Sequence, residues 1–169
     1  QFGHPIFFCQ KRPGFKGKIF TIYKFTSMTN KKNSKGELLH DKYRLNKFGK
    51  FLRRISLDEI PELVNILKGE MSFVGPRPLK YDLSYYDDFQ IKRFNAIPGI
   101  TGWAQINGRN DIPWEDKFKY DVSYVKNINI ILDLKILFIT CIKVFKKSDI
   151  NFSNTATMPK FKKRNKMLQ

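Results

Sequence analysis

The longest apolar run of the chain sets the strongest limit on how it can fold. It covers residues 128–145, about the length of a short membrane span, but it contains Asp133, Lys135 and Lys143. These charges disfavour a complete crossing of a bilayer. Either a helix lying in the membrane interface, with its lysines at the edge, or an amphipathic helix buried in a protein core explains the pattern. We therefore expect one long amphipathic helix here.

The rest of the chain is divided into short elements by glycines, prolines and polar residues. Residues 5–9 and 18–25 predict two strands, and the turn at 12–17 joins them into a hairpin. Apolar residues recur at helical spacing over 42–54, where Gly49 interrupts the pattern. The elements expected after residue 60 are a helix at 61–68, a strand or turn at 71–80, a helix at 81–95, a Gly-rich irregular region at 98–110 and a helix at 114–126. The sequence thus predicts a small mixed α/β domain with short strands and irregular Gly/Pro-rich loops.

A net charge of +17 over 169 residues requires an anionic partner or surface. Nucleic acid, acidic lipid and a phosphorylated substrate all satisfy that requirement. A composition of 41% hydrophobic and 28% charged residues is that of a globular protein rather than a disordered one. Cys9 and Cys141 lie far apart in sequence, which favours a reducing compartment and argues against a disulfide framework or a cysteine-rich metal site.

Two adjacent carboxylates, Asp58 and Glu59, precede a predicted helix. In one interpretation Ser56 caps that helix and Glu59 reaches back to it as a capping box. In the other, an ionised Asp58 attacks phosphorus and forms an acyl-phosphate, while Glu59 holds a magnesium ion, which prefers few carboxylates plus phosphate oxygens. A helix N-terminus, together with Arg53 and Arg54, would favour the ionised form of the aspartate.

Two further segments carry candidate binding residues. Arg77 stands between Pro76 and Pro78, which fix the backbone so that its guanidinium can bind a phosphate with little entropy left to lose. The alternative is a rigid turn with an exposed arginine. The Gly-rich stretch 98–109 offers backbone donors, a stacking face and polar side chains that suit a nucleotide or a sugar, or else it is ordinary structural material. Its candidate residues are Trp103, Gln105, Asn107 and Arg109.

The order and spacing of these motifs resemble the bacterial sugar transferase family, the monotopic phosphoglycosyl transferases. Residues 56–78, SLDEIPELVNILKGEMSFVGPRP, are similar to one signature of that family, and residues 98–109, PGITGWAQINGR, to a second. The resemblance extends from about Gly3 to Lys147. The residues that resemble the family's C-terminal pattern are Asp121, Tyr124, Val125, Asn127 and 133–136.

The resemblance implies a two-step transfer of a sugar-1-phosphate from a UDP-sugar to undecaprenyl phosphate, a polyprenyl phosphate, with release of UMP. Asp58 matches the family's nucleophile, which forms a covalent aspartyl-phosphosugar. Glu59 matches its ligand for magnesium, Mg²⁺. The residues expected to bind the substrate phosphates are Lys24, Arg53, Arg77 and Arg109.

The same resemblance implies an α/β catalytic domain with amphipathic helices on the cytoplasmic face of a bacterial inner membrane. We place this domain at residues 1–150, and a basic C-terminal tail, suited to anionic lipid headgroups, at 151–169. Because the chain begins at Gln1 and has no hydrophobic helix before the hairpin, we expect a piece that lacks the family's N-terminal membrane helix and is soluble or peripheral.

Two functions of other classes compete with the transferase. A nucleic-acid-binding module explains the charge and the aromatic residues interleaved with lysines near Phe20, Tyr23 and Phe25, but it leaves Asp58 and Arg77 without a role. An inactive membrane-surface scaffold would bind anionic vesicles and release no UMP from any UDP-sugar. The transferase is favoured because it uses every motif, and no nucleic-acid partner is expected.

Overall fold

A computed structural model describes residues 5–108, 112–146 and 161. Its strands are β1 Phe7–Pro13, β2 Ile19–Phe25, β3 Ser72–Val74 and β4 Gly99–Thr101. Its α-helices are α1 Asp41–Arg44, α2 Lys47–Arg54, α3 Glu62–Leu67, α4 Trp103–Ile106, α5 Trp114–Lys126 and α6 Ile130–Lys146. Short 3-10 segments occur at Phe15–Gly17, Leu57–Glu59, Leu83–Tyr85 and Gln90–Asn95. The mixed α/β class expected from the sequence is confirmed.

The first two strands, β1 and β2, form the predicted hairpin. They pair antiparallel, from Phe7 opposite Phe25 to Pro13 opposite Ile19. β1 begins and ends later than the strand expected at 5–9, because the ladder continues into the segment expected as a turn. The chain reverses through a 3-10 segment instead of a longer loop.

One face of this hairpin packs against helix α3. Side chains of β2 alternate between its two faces, so the buried residues Phe20 and Ile22 lie on the same face as Lys24. The helix is fixed there by Asn65, which is 0% exposed and donates from Nδ2 to the carbonyl of Thr21 at 2.7 Å. This contact holds the first turn of α3 close to Lys24.

A second, two-stranded sheet joins the two segments that carry the Gly/Pro motifs. β3 pairs parallel with β4, with Ser72 opposite Gly99. The backbones approach so closely that a Cβ atom on Gly99 would lie 2.1 Å from the backbone nitrogen of Gly75. The expectation of an irregular region at 98–110 is wrong in part, since β4 and α4 lie within it. The ladder that orders β4 comes from a strand distant in sequence, which local patterns do not report.

The helix expected over 42–54 consists of two helices, α1 and α2. The break lies at Asn46, whose Oδ1 accepts from the backbone N–H of Gly49 at 2.8 Å and so caps α2. Gly49 itself lies inside α2. A Cβ atom there would lie 2.0 Å from the carbonyl oxygen of Ser27, so the glycine allows α2 to pack directly against the segment that follows β2.

Residues 81–95 do not form the expected helix, and two short 3-10 segments occur there. Asp82 accepts from the backbone N–H of Ser84 at 3.0 Å. Asp87 accepts from that of Gln90 at 2.8 Å. Such bonds from side chain to nearby backbone stabilise turns in competition with a helix.

Helices α5 and α6 complete the core, and α5 has the expected bounds. Ile136 of α6 is 0% exposed and packs in a cluster with Val74 and Tyr124. The other side of α6 is apolar and more than half exposed, at Ile130, Ile131, Leu134 and Phe138. No helix within the described ranges is long and apolar enough to cross a membrane. A core partner therefore explains one side of α6, and the opposite side is an exposed apolar surface.

Candidate active site

The Asp58–Glu59 pair lies in a 3-10 segment between α2 and α3. Ser56, just before it, has φ 56° in the left-handed region, and its side chain makes no capping hydrogen bond. α3 begins after Pro61, a residue suited to the start of a helix because it has no N–H to leave unpaired. The capping-box interpretation is therefore wrong, and Glu59 binds cations on other elements instead.

Lys24 connects the hairpin to this pair. Its ammonium nitrogen lies 2.7 Å from Glu59 Oε1 and 2.8 Å from Glu62 Oε1. Glu62, in the first turn of α3, is 1% exposed. Burial raises the pKa of Glu62, although the charge of Lys24 acts in the opposite direction. One lysine therefore serves two carboxylates that are largely shielded from water.

Arg77 binds Glu59 from the turn that follows β3. Its Nη2 donates to Oε1 of the carboxylate, and its Nη1 lies 3.5 Å from Oε2. Burial by itself would raise the pKa of Glu59, but the charges and hydrogen bonds of Arg77 and Lys24 outweigh it and hold that pKa far below its usual range. Glu59 is thus ionised at neutral pH and fixed by one cation from strand β2 and one from the turn that follows β3.

Asp58 has a different electrostatic environment from its neighbour. It is 8% exposed, and burial first and the charge of Glu59 second raise its pKa. Lys24, Arg53 and Arg77 act to lower that pKa. Arg53 thus favours the ionised form, as the sequence predicted, but burial and the adjacent carboxylate are stronger and the net pKa of Asp58 is raised.

Arg53 and Arg54 lie in the last turn of α2. Arg53 Nε donates to Ser27 Oγ at 2.8 Å, and Ser27 is itself buried. In this orientation Arg53 is close enough to lower the pKa of Asp58. Arg54 is exposed, so only one of the two arginines is held beside the pair by a described contact.

The second predicted binding segment lies on and after α4. Trp103 packs against the core cluster that contains α6. Gln105 Nε2 lies 3.5 Å from a backbone carbonyl of β4, and Asn107 Nδ2 donates to the carbonyl of Trp103 at 2.8 Å. These described hydrogen bonds stay within the segment and do not connect it to the carboxylate pair. Arg109 lies outside the described residues, so its role in phosphate binding stays a prediction.

The sequence that contains this cluster matches a known protein family. The profile of the bacterial sugar transferase family matches residues 1–147, a range that contains the Asp58–Glu59 pair and Arg77. The chain belongs to this family. The resemblance found in the motifs is confirmed, and this sugar transferase is an enzyme whose candidate active site is the cluster of carboxylates and cations described above.

Individual relatives agree with the family assignment. The chain is 53% identical over 160 residues to the sugar transferase EpsL of Bacillus subtilis. The aligned region covers 94% of this chain and 79% of EpsL. It is 38% identical over 154 residues to the UDP-glucose:undecaprenyl-phosphate glucose-1-phosphate transferase of Escherichia coli. It is 40% identical over 153 residues to the galactosyl transferase CpsE of Streptococcus agalactiae. The chain spans only 33% and 34% of the length of these two longer relatives.

The carboxylates of this sugar transferase offer oxygen ligands, which suit magnesium. Within the described residues, no group of three or more His, Cys, Asp or Glu is arranged to hold a metal ion. Glu59 Oε1 accepts from both Lys24 and Arg77, whereas Oε2 has the 3.5 Å contact with Arg77. A magnesium ion here would therefore use one or two carboxylates and take its other ligands from substrate and water, which is how magnesium commonly binds.

Two residues near the site were not predicted, although the sequence held a signal for each. Glu62 follows Glu59 by three residues, a spacing that places side chains on one side of a helical turn. Arg12 lies opposite Phe20 in the hairpin, so strand alternation places it on the same face as Lys24. A third residue, the buried Arg93, had no local signal, because its carboxylate partner lies on α5.

Proposed function

We propose that this chain transfers a sugar-1-phosphate from a UDP-sugar to undecaprenyl phosphate and releases UMP, as the first membrane step in the assembly of a glycoconjugate. The name of the Escherichia coli relative supports the transfer, since it states a UDP-sugar donor and undecaprenyl phosphate as acceptor. The observation that carries the proposal is the buried carboxylate of Asp58 beside Glu59, which Lys24 and Arg77 hold ionised.

In the first half-reaction an oxygen of the Asp58 carboxylate attacks the β-phosphorus of the donor. The bond from that phosphorus to the bridging oxygen breaks, and UMP leaves with the electron pair. In the second half-reaction a phosphate oxygen of undecaprenyl phosphate attacks the aspartyl-phosphosugar and releases the carboxylate. Lys24, Arg53 and Arg77 support this role, because their charges favour the ionised carboxylate that makes the attack.

The surrounding cations supply the charge that two phosphate groups require. Arg77 is the more accessible of the two cations that bind Glu59, because 40% of its side chain is exposed, compared with 16% for Lys24. A guanidinium can bind two phosphate oxygens at once. We assign Arg77, Lys24 and Arg53 to the donor phosphates, and Arg109 with the segment of Trp103, Gln105 and Asn107 to the nucleotide and sugar.

We assign Glu59 to a magnesium ion, through Oε2, the carboxylate oxygen that is less engaged by the two cations. Asp58 adjoins it in the same 3-10 segment. When bound, magnesium neutralises charge on the diphosphate and on the departing UMP. The protein's own part is to keep Glu59 ionised, which Arg77 and Lys24 do.

We assign the exposed apolar residues to contact with an anionic membrane surface, where the lipid acceptor resides. Phe48 and Phe51 stand exposed on α2, with ring centres 6.4 Å apart, between basic residues of the same helix. The exposed side of α6 supplies a second apolar surface. Aromatic and aliphatic side chains flanked by lysines and arginines are typical of helices that lie in a membrane interface.

The proposal is tested on the first half-reaction, which needs no lipid. The chain is mixed with magnesium and a panel of UDP-sugars, and intact mass and UMP release are recorded together. We expect a mass gain of one phospho-sugar with one donor, absent in Asp58→Asn, and loss of that adduct when undecaprenyl phosphate is added. UMP release by the Asp58→Asn variant at the wild-type rate would overturn the covalent scheme.

A further inference from the structure

The turn that carries Arg77 is held by side chains from two distant elements. Pro76 and Pro78 have no N–H, so each removes one donor through which the backbone could be fixed. The carbonyl of Pro76 accepts from a backbone N–H of β4 at 3.2 Å. The next two carbonyls, those of Arg77 and Pro78, accept from the side chains of Arg93 and Arg12.

Arg12 reaches the turn from strand β1. Its Nη1 donates to the carbonyl of Pro78 at 3.0 Å, and its Nη2 donates to Gln10 Oε1 at 2.6 Å. Burial first, and then repulsion by Arg77, lower its pKa to about 10. The chain therefore keeps a second guanidinium beside Arg77 at an electrostatic cost, although the acceptors of its two described hydrogen bonds are uncharged.

Arg93 reaches the turn from the opposite side. Its Nη2 donates to the carbonyl of Arg77 at 2.6 Å. The same guanidinium donates from Nε and Nη2 to Asp121 Oδ2, at 3.0 and 2.8 Å, and the pair is almost completely buried. Its central carbon lies 5.4 to 6.0 Å from the ring centres of three aromatic residues, Tyr86, Phe94 and Phe118.

We propose that Arg12 and Arg93 are positioning residues, which hold the backbone of the turn so that the Arg77 guanidinium faces Glu59 and the diphosphate of the donor. The inference rests on the proposed function, in which Arg77 binds the donor phosphates. Neither residue needs to touch substrate in this role. An arginine suits it because its planar fork donates in two fixed directions, so one bond can hold the turn while another holds the arginine itself.

If Arg12 and Arg93 act through Arg77, the effect of substituting either residue on donor binding depends on whether Arg77 is present. A residue with only a structural role would show no such dependence. Arg12→Lys keeps the charge but cannot reproduce the two divergent bonds to Pro78 and Gln10. The turn is then fixed from one side only, and Arg77 loses part of its alignment. If Arg77 is absent, there is no alignment left to lose, so the second substitution has little further effect.

The test is a double-mutant cycle on the affinity for UDP, measured by calorimetry in the presence of magnesium. Wild type, Arg12→Lys, Arg77→Ala and the double variant are compared. We expect Arg12→Lys to weaken UDP binding about tenfold, the effect of losing one hydrogen bond in an aligned site. In the Arg77→Ala background the same substitution should change the affinity less than about twofold. The variant Arg93→Lys should show the same coupling, with thermal melting to establish that it is folded.

A matched control is Arg44→Lys, because Arg44 Nε also donates to a backbone carbonyl, that of Thr29, at 2.9 Å. This variant should bind UDP as wild type does. An equal loss from Arg12→Lys with and without Arg77, an unchanged affinity in Arg12→Lys, or no binding of UDP by wild type would each overturn the positioning role. Coupling without a phospho-sugar adduct overturns the proposed reaction alone, and an adduct without coupling overturns this inference alone.

Discussion

The ammonium nitrogen of Lys24 lies 2.8 Å from the carboxylate of Glu62, a residue that is 1% exposed. The same nitrogen lies 2.7 Å from Glu59. A single cation therefore offsets two shielded carboxylates on the 3-10 segment and on α3. Because a charge without a partner is costly in such surroundings, the stability of the site depends strongly on this lysine.

We predict that Lys24→Met destabilises the fold by about 3–5 kcal/mol at neutral pH, because it leaves a buried carboxylate without its partner. Urea denaturation measures the change. The double variant Lys24→Met/Glu62→Gln should recover part of the loss, since it removes the charge of Glu62, whereas Glu59 keeps its ion pair with Arg77. The control is Lys119→Met, which breaks an exposed ion pair with Asp116 and should leave stability nearly unchanged. Equal effects of the two lysine substitutions would contradict the prediction.

We predict that Asp58→Asn stabilises the fold at pH 7. The pKa of Asp58 is raised by burial and by Glu59, so above the folded pKa the ionised group lowers the free energy of unfolding. Below the pKa of an unfolded aspartate, about 3.9, both states hold the proton and this penalty is absent. The advantage of the variant should therefore shrink as pH falls toward 4, as measured by urea denaturation across that range. Asp82→Asn, a substitution at an exposed capping residue, should show no such trend.

We predict that Arg77→Ala raises the KM for the UDP-sugar about 10- to 100-fold, because it removes charge-assisted hydrogen bonds to the donor phosphates. The measurement is the rate of UMP release against donor concentration. Lys92→Ala removes the same charge from an exposed position and should leave KM unchanged. An unaltered KM in Arg77→Ala would exclude the arginine from donor binding.

We predict that Glu59→Gln lowers the rate of UMP release by about a hundredfold or more. The substitution weakens the proposed magnesium site, and it also weakens the ion pairs that hold Lys24 and Arg77 in place. The residual rate should rise with magnesium concentration well beyond the range that saturates wild type. A titration of the rate with magnesium measures this. Glu37→Gln, at an exposed residue, should saturate as wild type does, and saturation of Glu59→Gln at the same concentration would argue against a metal at Glu59.

We predict that Asn65→Ala costs about 1–3 kcal/mol of stability, because it leaves the carbonyl of Thr21 and the backbone N–H of Tyr23 without their partner. Chemical denaturation measures the loss. Asn127→Ala removes one hydrogen bond on the surface, to the carbonyl of Ser123, and should change stability by about 0.5 kcal/mol or less. A loss of stability in Asn127→Ala as large as that in Asn65→Ala would contradict the prediction.

Elements whose signals are local were predicted well from the sequence. The hairpin of β1 and β2, the short helix α3 and the long helix α5 all follow from residue periodicity and from turn residues at their ends. The errors lie where other contacts compete. Residues 81–95 form turns because Asp82 and Asp87 bond to nearby backbone, and β4 forms because β3 offers it a ladder.

The sequence also predicted the family and some of the candidate site residues. The order of the Asp58–Glu59 pair, Arg77 and the segment 98–109 determined the family, and the match over residues 1–147 confirms it. The net charge of +17 predicted an anionic partner or surface. The residues that surround the pair were predicted only in part, because the positions of Arg12, Glu62 and Arg93 beside it became known only from the structure.

What the sequence by itself determined is therefore the hairpin, the helices α3 and α5, and the family, while the catalytic role of the carboxylate pair stays a prediction. Only the tertiary structure decided that Asp58 has a raised pKa and Glu59 a lowered one, although the two are adjacent. The physical reason is that ionisation depends on burial and on charges a few ångströms away. Lys24, from the hairpin, and Arg77, from the turn after β3, supply those charges to Glu59, and distance along the chain reveals neither contact.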